Sequence, residues 1–149
     1  MPSTRARIVT LRGIRALLLG VLLASVLAAC AGPAGQLPPP PDGAQTLPAT
    51  GDHEVATDLA VADIYDRYGP EFGSMEASSY LLADSVTWAD VERHYADALT
   101  GWEADGRFPP MTGDTSERTW VAGDRVVVVR LFDTGGARVL IVASNDASA

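Results

Sequence analysis

One histidine and one aspartate have a spacing that suits acid–base chemistry. Asp90 precedes His94 by four residues, which places two side chains next to each other on one face of a helix. An imidazole oriented by a carboxylate forms two-thirds of a hydrolytic triad. A threonine or one of Ser78, Ser79 and Ser85 would have to complete it, and none of these serines lies in a Gly-x-Ser-x-Gly turn. We expect a surface pair, and a small hydrolase using His94 and Asp90 with a nearby hydroxyl is the alternative.

The second histidine lies between two acids, in Asp52-His53-Glu54. An imidazole and two carboxylates can bind a metal, but consecutive residues do not converge on one ion unless the backbone turns sharply, and further ligands are missing. The sequence also has neither the spacing of a calcium-binding loop nor a glycine-rich phosphate loop after a strand. We predict no metal site and no cofactor.

The single cysteine, Cys30, follows a stretch with the order of an export signal. Residues 16–29 are an uncharged run of 14 residues rich in Leu, Val and Ala. A membrane-spanning helix needs about 20 apolar residues, so this run is too short for a permanent span. Positive charge, a short apolar core and small residues at its end are typical of a secretory signal. The positive charge comes from Arg5, Arg7, Arg12 and Arg15.

The end of this stretch, Leu27-Ala28-Ala29-Cys30, resembles the lipobox of bacterial lipoproteins. The resemblance implies that residues 1–29 are removed, that the Cys30 thiol receives a diacylglycerol, and that the new amine is acylated with a fatty acid such as palmitate. Two or three acyl chains hold a protein firmly on a bilayer. We expect an exported, lipid-anchored protein of the cell envelope, on the outer membrane of a cell with two membranes and otherwise on the outer face of the plasma membrane.

The charge of the chain restricts its partners. The full sequence has a formal charge of −8, and removal of residues 1–29 leaves 7 basic residues against 19 acids, a charge of −12. A chain of this charge is repelled by phosphate backbones and by anionic lipid heads. We therefore expect no nucleic-acid partner, and contact with the lipid bilayer through lipidated Cys30 alone.

The mature chain divides by composition into a spacer and a domain. Residues 30–51 are rich in Pro, Gly, Ala and Thr, with four consecutive prolines at 38–41. Prolines favour an extended, solvated chain, so this stretch is interpreted as a tether. Residues 52–149 suffice for a single small domain.

The clearest element is a helix over residues 88–99. Thr87 is placed to cap its start with Asp90 as the capping-box partner, and Gly101 is placed to end it. Apolar residues recur at helical spacing and predict a face that packs on the core. These residues are Trp88, Val91, Tyr95, Leu99 and Trp102.

The remaining elements predict an α+β domain. Strands are expected at residues 76–83, 118–121, 125–132 and 137–143, with turns at 122–124 and 133–136 that favour an antiparallel meander. Residues 54–68 are ambiguous between helix and strand and are favoured as a helix that ends at Gly69-Pro70. Residues 103–116 are expected to form a loop, with room for a short strand at its start. The predicted architecture is an antiparallel sheet of about four strands with one or two helices packed on it.

Residues 76–144 show a pattern that is similar to small exported bacterial domains of unknown function. The pattern is a strand, a helix with Trp-x-x-Val-x-x-x-Tyr-x-x-x-Leu-x-x-Trp, and a strand meander, after a lipobox and a proline-rich spacer. The resemblance implies a sandwich of one sheet and one or two helices. It carries over no active-site residue.

The strand at 125–132 is apolar on both sides, whereas a strand with one buried face alternates apolar and polar residues. The helix at 88–99 can cover only one side of the sheet. The other side carries Val126, Val128, Arg130 and Phe132. Residues 54–68, a second copy of the chain, or a ligand or partner would have to cover it. Our hypothesis is an incompletely covered apolar groove there, and a complete second layer formed by residues 54–68 is the alternative. We interpret the protein as a non-catalytic binding or scaffolding module for an envelope protein or an apolar ligand.

Overall fold

The computed structural model describes residues 37–48 and 53–145. Residues 1–36, which include the predicted signal and Cys30, lie outside these residues, as do residues 49–52 and 146–149. In the described part of the chain, no helix has the length and apolarity needed to cross a membrane. The elements in chain order are β1 (Gln45–Thr46), α1 (Glu54–Phe72), β2 (Glu76–Leu82), α2 (Trp88–Ala98), β3 (Glu103–Ala104), β4 (Thr115–Ala122), β5 (Arg125–Asp133) and β6 (Arg138–Ser144).

All the strands belong to one antiparallel sheet with the order β1-β2-β6-β5-β4-β3. The α+β class is confirmed, and so is the β4–β5–β6 meander. The sheet has six strands where the sequence predicts about four. The additional strands, β1 and β3, contain two residues each. A short strand at the start of residues 103–116 was allowed for, whereas β1 lies in the segment predicted as a tether.

Helix α2 begins and ends as its sequence predicts. The Thr87 side chain accepts a hydrogen bond from the Asp90 amide at 3.3 Å, and the Asp90 carboxylate accepts one from the Thr87 amide at 3.1 Å. Gly101 follows the helix with a φ of 88°, which favours glycine. Val91 and Tyr95 are fully buried against the sheet.

Helix α1 covers the segment that the sequence leaves ambiguous, and it is longer than predicted. Pro70 lies inside the helix, which continues to Phe72 and does not end at Gly69-Pro70. Pro70 falls in the last turn, so its missing N–H removes a hydrogen bond only near the helix end. The Gly73 amide then donates to the Gly69 carbonyl at 2.8 Å and closes the helix.

The two helices pack on opposite faces of the sheet. The face toward α2 includes Val127, Val129 and Leu131 of β5. The face toward α1 includes Val126 and Val128, packed with residues of α1 and β6. Because a helix covers each face of the sheet, β5 is apolar on both sides.

The proline-rich segment differs from the predicted tether. Leu37 and Ala44 pack against the α2-side core, and Leu47 packs against the α1-side core. Gln45 pairs with Leu81 in the sheet. The prediction that residues 31–51 form a solvated spacer is therefore wrong for this part, since the folded domain already includes residues before 52. Extended backbone, which prolines favour, suits addition to a sheet edge.

Candidate functional site

The predicted Asp90–His94 pair is not formed, because each side chain has another partner. Both carboxylate oxygens of Asp90 are engaged, one by Thr87 and the other by Arg93. His94 Nε2 donates to the carbonyl oxygen of Pro39 at 2.9 Å. The hydrogen bonds with Thr87 hold the pKa of the Asp90 carboxyl below its usual value, as expected for a carboxylate that accepts hydrogen bonds.

The hydroxyl that the alternative hydrolase would need as its nucleophile is also not bound to His94. In residues 37–48 and 53–145, no serine or threonine hydroxyl forms a hydrogen bond with this imidazole. The ring instead meets Tyr95 edge-on, with 5.0 Å between ring centroids. His94 therefore serves to attach the proline-rich segment to α2.

The histidine of the Asp52-His53-Glu54 triplet lies at the start of α1. Its Nε2 atom is 3.5 Å from the Pro48 carbonyl oxygen, and Asp52 lies outside the described residues. The described residues contain no group of three or more His, Cys, Asp or Glu side chains arranged to hold a metal ion.

The predicted groove on the second face of the sheet is occupied by α1. Val126 and Val128 have no exposed surface, and Phe132 packs against the same apolar cluster. Ile64 and Tyr68 of α1 fill the space above them. The prediction of an accessible binding face at Val126, Val128, Arg130 and Phe132 is wrong, because the 54–68 segment packs more completely than expected.

Arg130 also lies on this covered face, and Glu117 lies directly opposite it in the sheet. Glu117 is 1% exposed and Arg130 is 4% exposed. Arg130 Nε donates to Glu117 Oε2 at 2.6 Å, and its Nη2 atom donates to the Asp63 carboxylate of α1 at 2.6 Å. Its Nη1 atom donates to the Ala60 carbonyl oxygen at 3.0 Å. The Arg130 guanidinium thus connects the sheet to the helix at Ala60 and Asp63.

The other oxygen of Glu117 is also fully engaged. Glu117 Oε1 accepts hydrogen bonds from the Tyr68 hydroxyl at 2.7 Å and from Arg67 at 3.0 Å. Tyr68 also lies 2.9 Å from the Thr119 hydroxyl oxygen. Burial raises the pKa of the Tyr68 hydroxyl well above its usual value, so this group stays protonated and cannot act as a base. A buried polar network of this kind fixes how α1 sits on the sheet.

Glu117 is not singled out by the sequence patterns, although a signal for it exists. Ala122 pairs with Arg125 across the two-residue turn Gly123-Asp124. That register places Glu117 opposite Arg130, so the turn length together with Arg130 on an apolar face would have identified its partner.

An open cleft of about 460 Å³ lies between the first turns of α1 and strands β1 and β2. Glu54 and Asp58 of α1 line it, together with Ser78 and Ser79 of β2. Neither carboxylate has an ion-pair partner among the described residues. The cleft is therefore an acceptor-rich surface without a cation of its own.

Helix α1 carries all the large apolar side chains that the described part of the chain exposes. Val55 is 70% exposed, Leu59 66% and Tyr65 38%. The exposed Ala62 lies between the last two. The apolar stripe that Val55, Leu59 and Ala62 form was not singled out by the sequence analysis.

Comparison with known proteins gives no significant match: no family model matches the chain, and neither does a curated protein or a solved structure. Function in any fold depends on the side chains of its sites.

Proposed function

We propose that this protein is an exported lipoprotein whose folded domain is a non-catalytic binding module, held at the cell envelope by lipid on Cys30. The observation that carries the proposal is the 2.9 Å hydrogen bond between His94 Nε2 and the Pro39 carbonyl oxygen. Because of this bond, His94, the best candidate for a general base, holds the proline-rich segment on α2. The same bond attaches Pro39, nine residues after Cys30, to α2.

The position of the domain relative to the anchor follows from the length of the intervening chain. Leu37, seven residues after Cys30, already packs against the core. Seven residues span at most about 25 Å when fully extended. A lipid on Cys30 would therefore hold the domain close to the bilayer surface, on the outer membrane of a cell with two membranes or on the outer face of a single membrane.

The remaining polar groups support binding over catalysis. Tyr68 and Glu117, the most deeply buried titratable pair, satisfy each other and their neighbours. The charged side chains of α1 that face outward are carboxylates, next to exposed apolar residues. Such a surface can bind a partner but offers no nucleophile or acid–base pair.

Substitution of Cys30 tests this function. Cells expressing the wild type, Cys30→Ser and the control Ala34→Ser are labelled with radioactive palmitate and separated into membrane and soluble fractions. We expect label and membrane association for the wild type and for Ala34→Ser, and neither for Cys30→Ser. Equal labelling of all three proteins would contradict the lipid anchor.

A further inference from the structure

The outward face of α1 has the geometry of one side of a helix–helix interface. At about 100° per residue, Val55, Leu59 and Ala62 fall within about 60° of one another around the helix axis. Ile64 and Tyr68, the buried apolar residues of the helix, lie on the opposite side. The helix is thus apolar on two opposite faces, and the sheet covers only one of them. A surface helix normally has a single apolar stripe and a polar outer face.

Acidic residues flank this stripe. Asp58 and Asp63 lie on either side, each about 70° from its centre, and Asp66 continues it at the C-terminal end. Asp63 is 63% exposed while its carboxylate binds Arg130. Asp58 and Asp66 form no ion pair within the described residues.

Among the described residues, the arginine whose ion pair reaches this face is Arg130, at Asp63. Arg67, the arginine of α1, points toward the sheet and pairs with Glu117. The other arginines in described ion pairs are Arg93, Arg107, Arg118, Arg130 and Arg138. Arg125 lies over the Trp102 ring, with 4.8 Å from its Cζ atom to the ring centroid.

The charge of the face selects its occupant. An anionic bilayer would be repelled by Asp58 and Asp66. A second copy of the chain would place the same carboxylates against each other, and like charges across an interface are unfavourable. A helix with lysine or arginine beside its apolar residues matches both the stripe and the flanking acids. In paired helices, charged residues beside the apolar seam form salt bridges of this kind between the helices.

We infer that the outward face of α1 binds a basic amphipathic helix of a partner protein, with its apolar stripe on Val55, Leu59 and Ala62 and its cations beside Asp58 and Asp66. This inference rests on the proposed binding function and names the chemistry of the partner. Val55, at the start of the stripe, and Asp66, which continues it, are separated by about 16 Å along the axis, at about 1.5 Å per residue. A partner helix of about three turns therefore covers the stripe.

Two synthetic peptides provide a direct test. One has leucine along one helical face and lysine beside it, and the other has glutamate in place of each lysine. The full chain is used as cells mature it, in zwitterionic nanodiscs if it is membrane-bound and in buffer if it is not. Fluorescence anisotropy of the labelled peptides then measures binding. We expect the lysine peptide to bind, more weakly as salt increases, and the glutamate peptide not to bind.

Variants of the face separate the apolar contribution from the charged one. Leu59→Gln should weaken binding of the lysine peptide at least tenfold, because it removes the centre of the stripe. The double substitution Asp58→Asn with Asp66→Asn should weaken it several-fold and reduce its salt dependence. Asp97→Asn, on an exposed position of α2, should leave it unchanged. Each variant is checked for an unaltered thermal melt, as expected for exposed positions.

Three results would overturn the inference. The first is equal binding of both peptides, or of neither. The second is a concentration-dependent dimer of the wild type that Leu59→Gln abolishes, which would assign the face to a second copy. The third is binding of Cys30→Ser to phosphatidylglycerol vesicles that Leu59→Gln abolishes, which would assign it to a bilayer. None of these depends on palmitate labelling, so failure of the lipid anchor and failure of the partner inference are distinguishable.

Discussion

Glu117 and Arg130 face each other across neighbouring strands, and the Arg130 Nε atom lies 2.6 Å from Glu117 Oε2 with both side chains shielded from water. Two charges removed from water gain stability only when the remaining hydrogen-bonding capacity is satisfied. Here Tyr68, Arg67 and the Ala60 carbonyl provide those partners. The pair therefore holds α1 in place on the sheet.

Arg130→Met should reduce the free energy of unfolding by about 3–5 kcal/mol, because Glu117 would remain buried and charged without its main partner. Adding Glu117→Gln to this variant should recover part of the loss, since the buried charge is then removed as well. Urea denaturation of the two single variants and the double variant measures the coupling. Strictly additive losses would show that the two residues do not act as a pair.

Leu99→Ala should reduce the free energy of unfolding by about 2–5 kcal/mol, because Leu99 is buried between α2 and the sheet. Leu59→Ala is the matched control, since it makes the same change on the outward face of α1. We expect an effect of no more than about 0.5 kcal/mol there. Similar losses in chemical denaturation would mean that Leu59 is not exposed in solution.

Replacing His94 should loosen the segment before β1. His94→Ala removes the donor to the Pro39 carbonyl, whereas His94→Gln retains an amide N–H that can reach it. We expect faster hydrogen exchange at the Ala44 amide, which donates to the Pro41 carbonyl, in His94→Ala than in His94→Gln. The Leu99 amide should be unaffected. Unchanged exchange at Ala44 in both variants would show that this hydrogen bond does not hold the segment.

Acid should destabilise the domain partly through Asp105. Hydrogen bonds from Arg107 hold the pKa of this carboxyl below its usual value. A carboxyl whose pKa is lower in the folded state stabilises it above the unfolded-state value of about 3.9, and this stabilisation is lost as pH falls through the folded-state pKa.

The corresponding experiment compares Asp105→Asn with the wild type over a pH series. Asp105→Asn should be less stable at pH 7 and should approach the wild type as the pH falls well below 4. Asp97→Asn serves as the exposed control and should show little difference at either pH. A stability difference for Asp105→Asn that stays constant down to pH 2 would argue against this ion pair as the source.

Helix α2 and the meander were predictable because local signals agree there. Thr87 and Asp90 define the start of the helix, and the apolar stripe through Val91 and Tyr95 defines its buried face. The turn glycines Gly123 and Gly135 both have positive φ, at 68° and 82°, and they separate strands that each bury two faces. Capping, periodicity and turn chemistry therefore point to the same structure.

The features that were not predicted depend on distant contacts. Val55 and Leu59 have the spacing of core residues, and only the position of α1 on the sheet shows that they point outward. No local sequence pattern indicates the role of Pro39, whose carbonyl oxygen accepts a hydrogen bond from His94, 55 residues away. Propensity and periodicity describe neighbours in sequence, so they cannot assign the outer face of a helix that is apolar on both sides.

The two outermost strands, β1 and β3, have a consequence for crowded conditions. A sheet edge offers unpaired amides and carbonyls to a neighbouring molecule, and long flat edges promote aggregation. Each edge here is interrupted by a strand of only two residues: β1 pairs with Tyr80 and Leu81 of β2, and β3 pairs with Trp120 and Val121 of β4. A neighbouring molecule therefore meets short, broken stretches of unpaired backbone in place of one long flat strand. Many copies can then lie close together with little tendency to polymerise edge to edge.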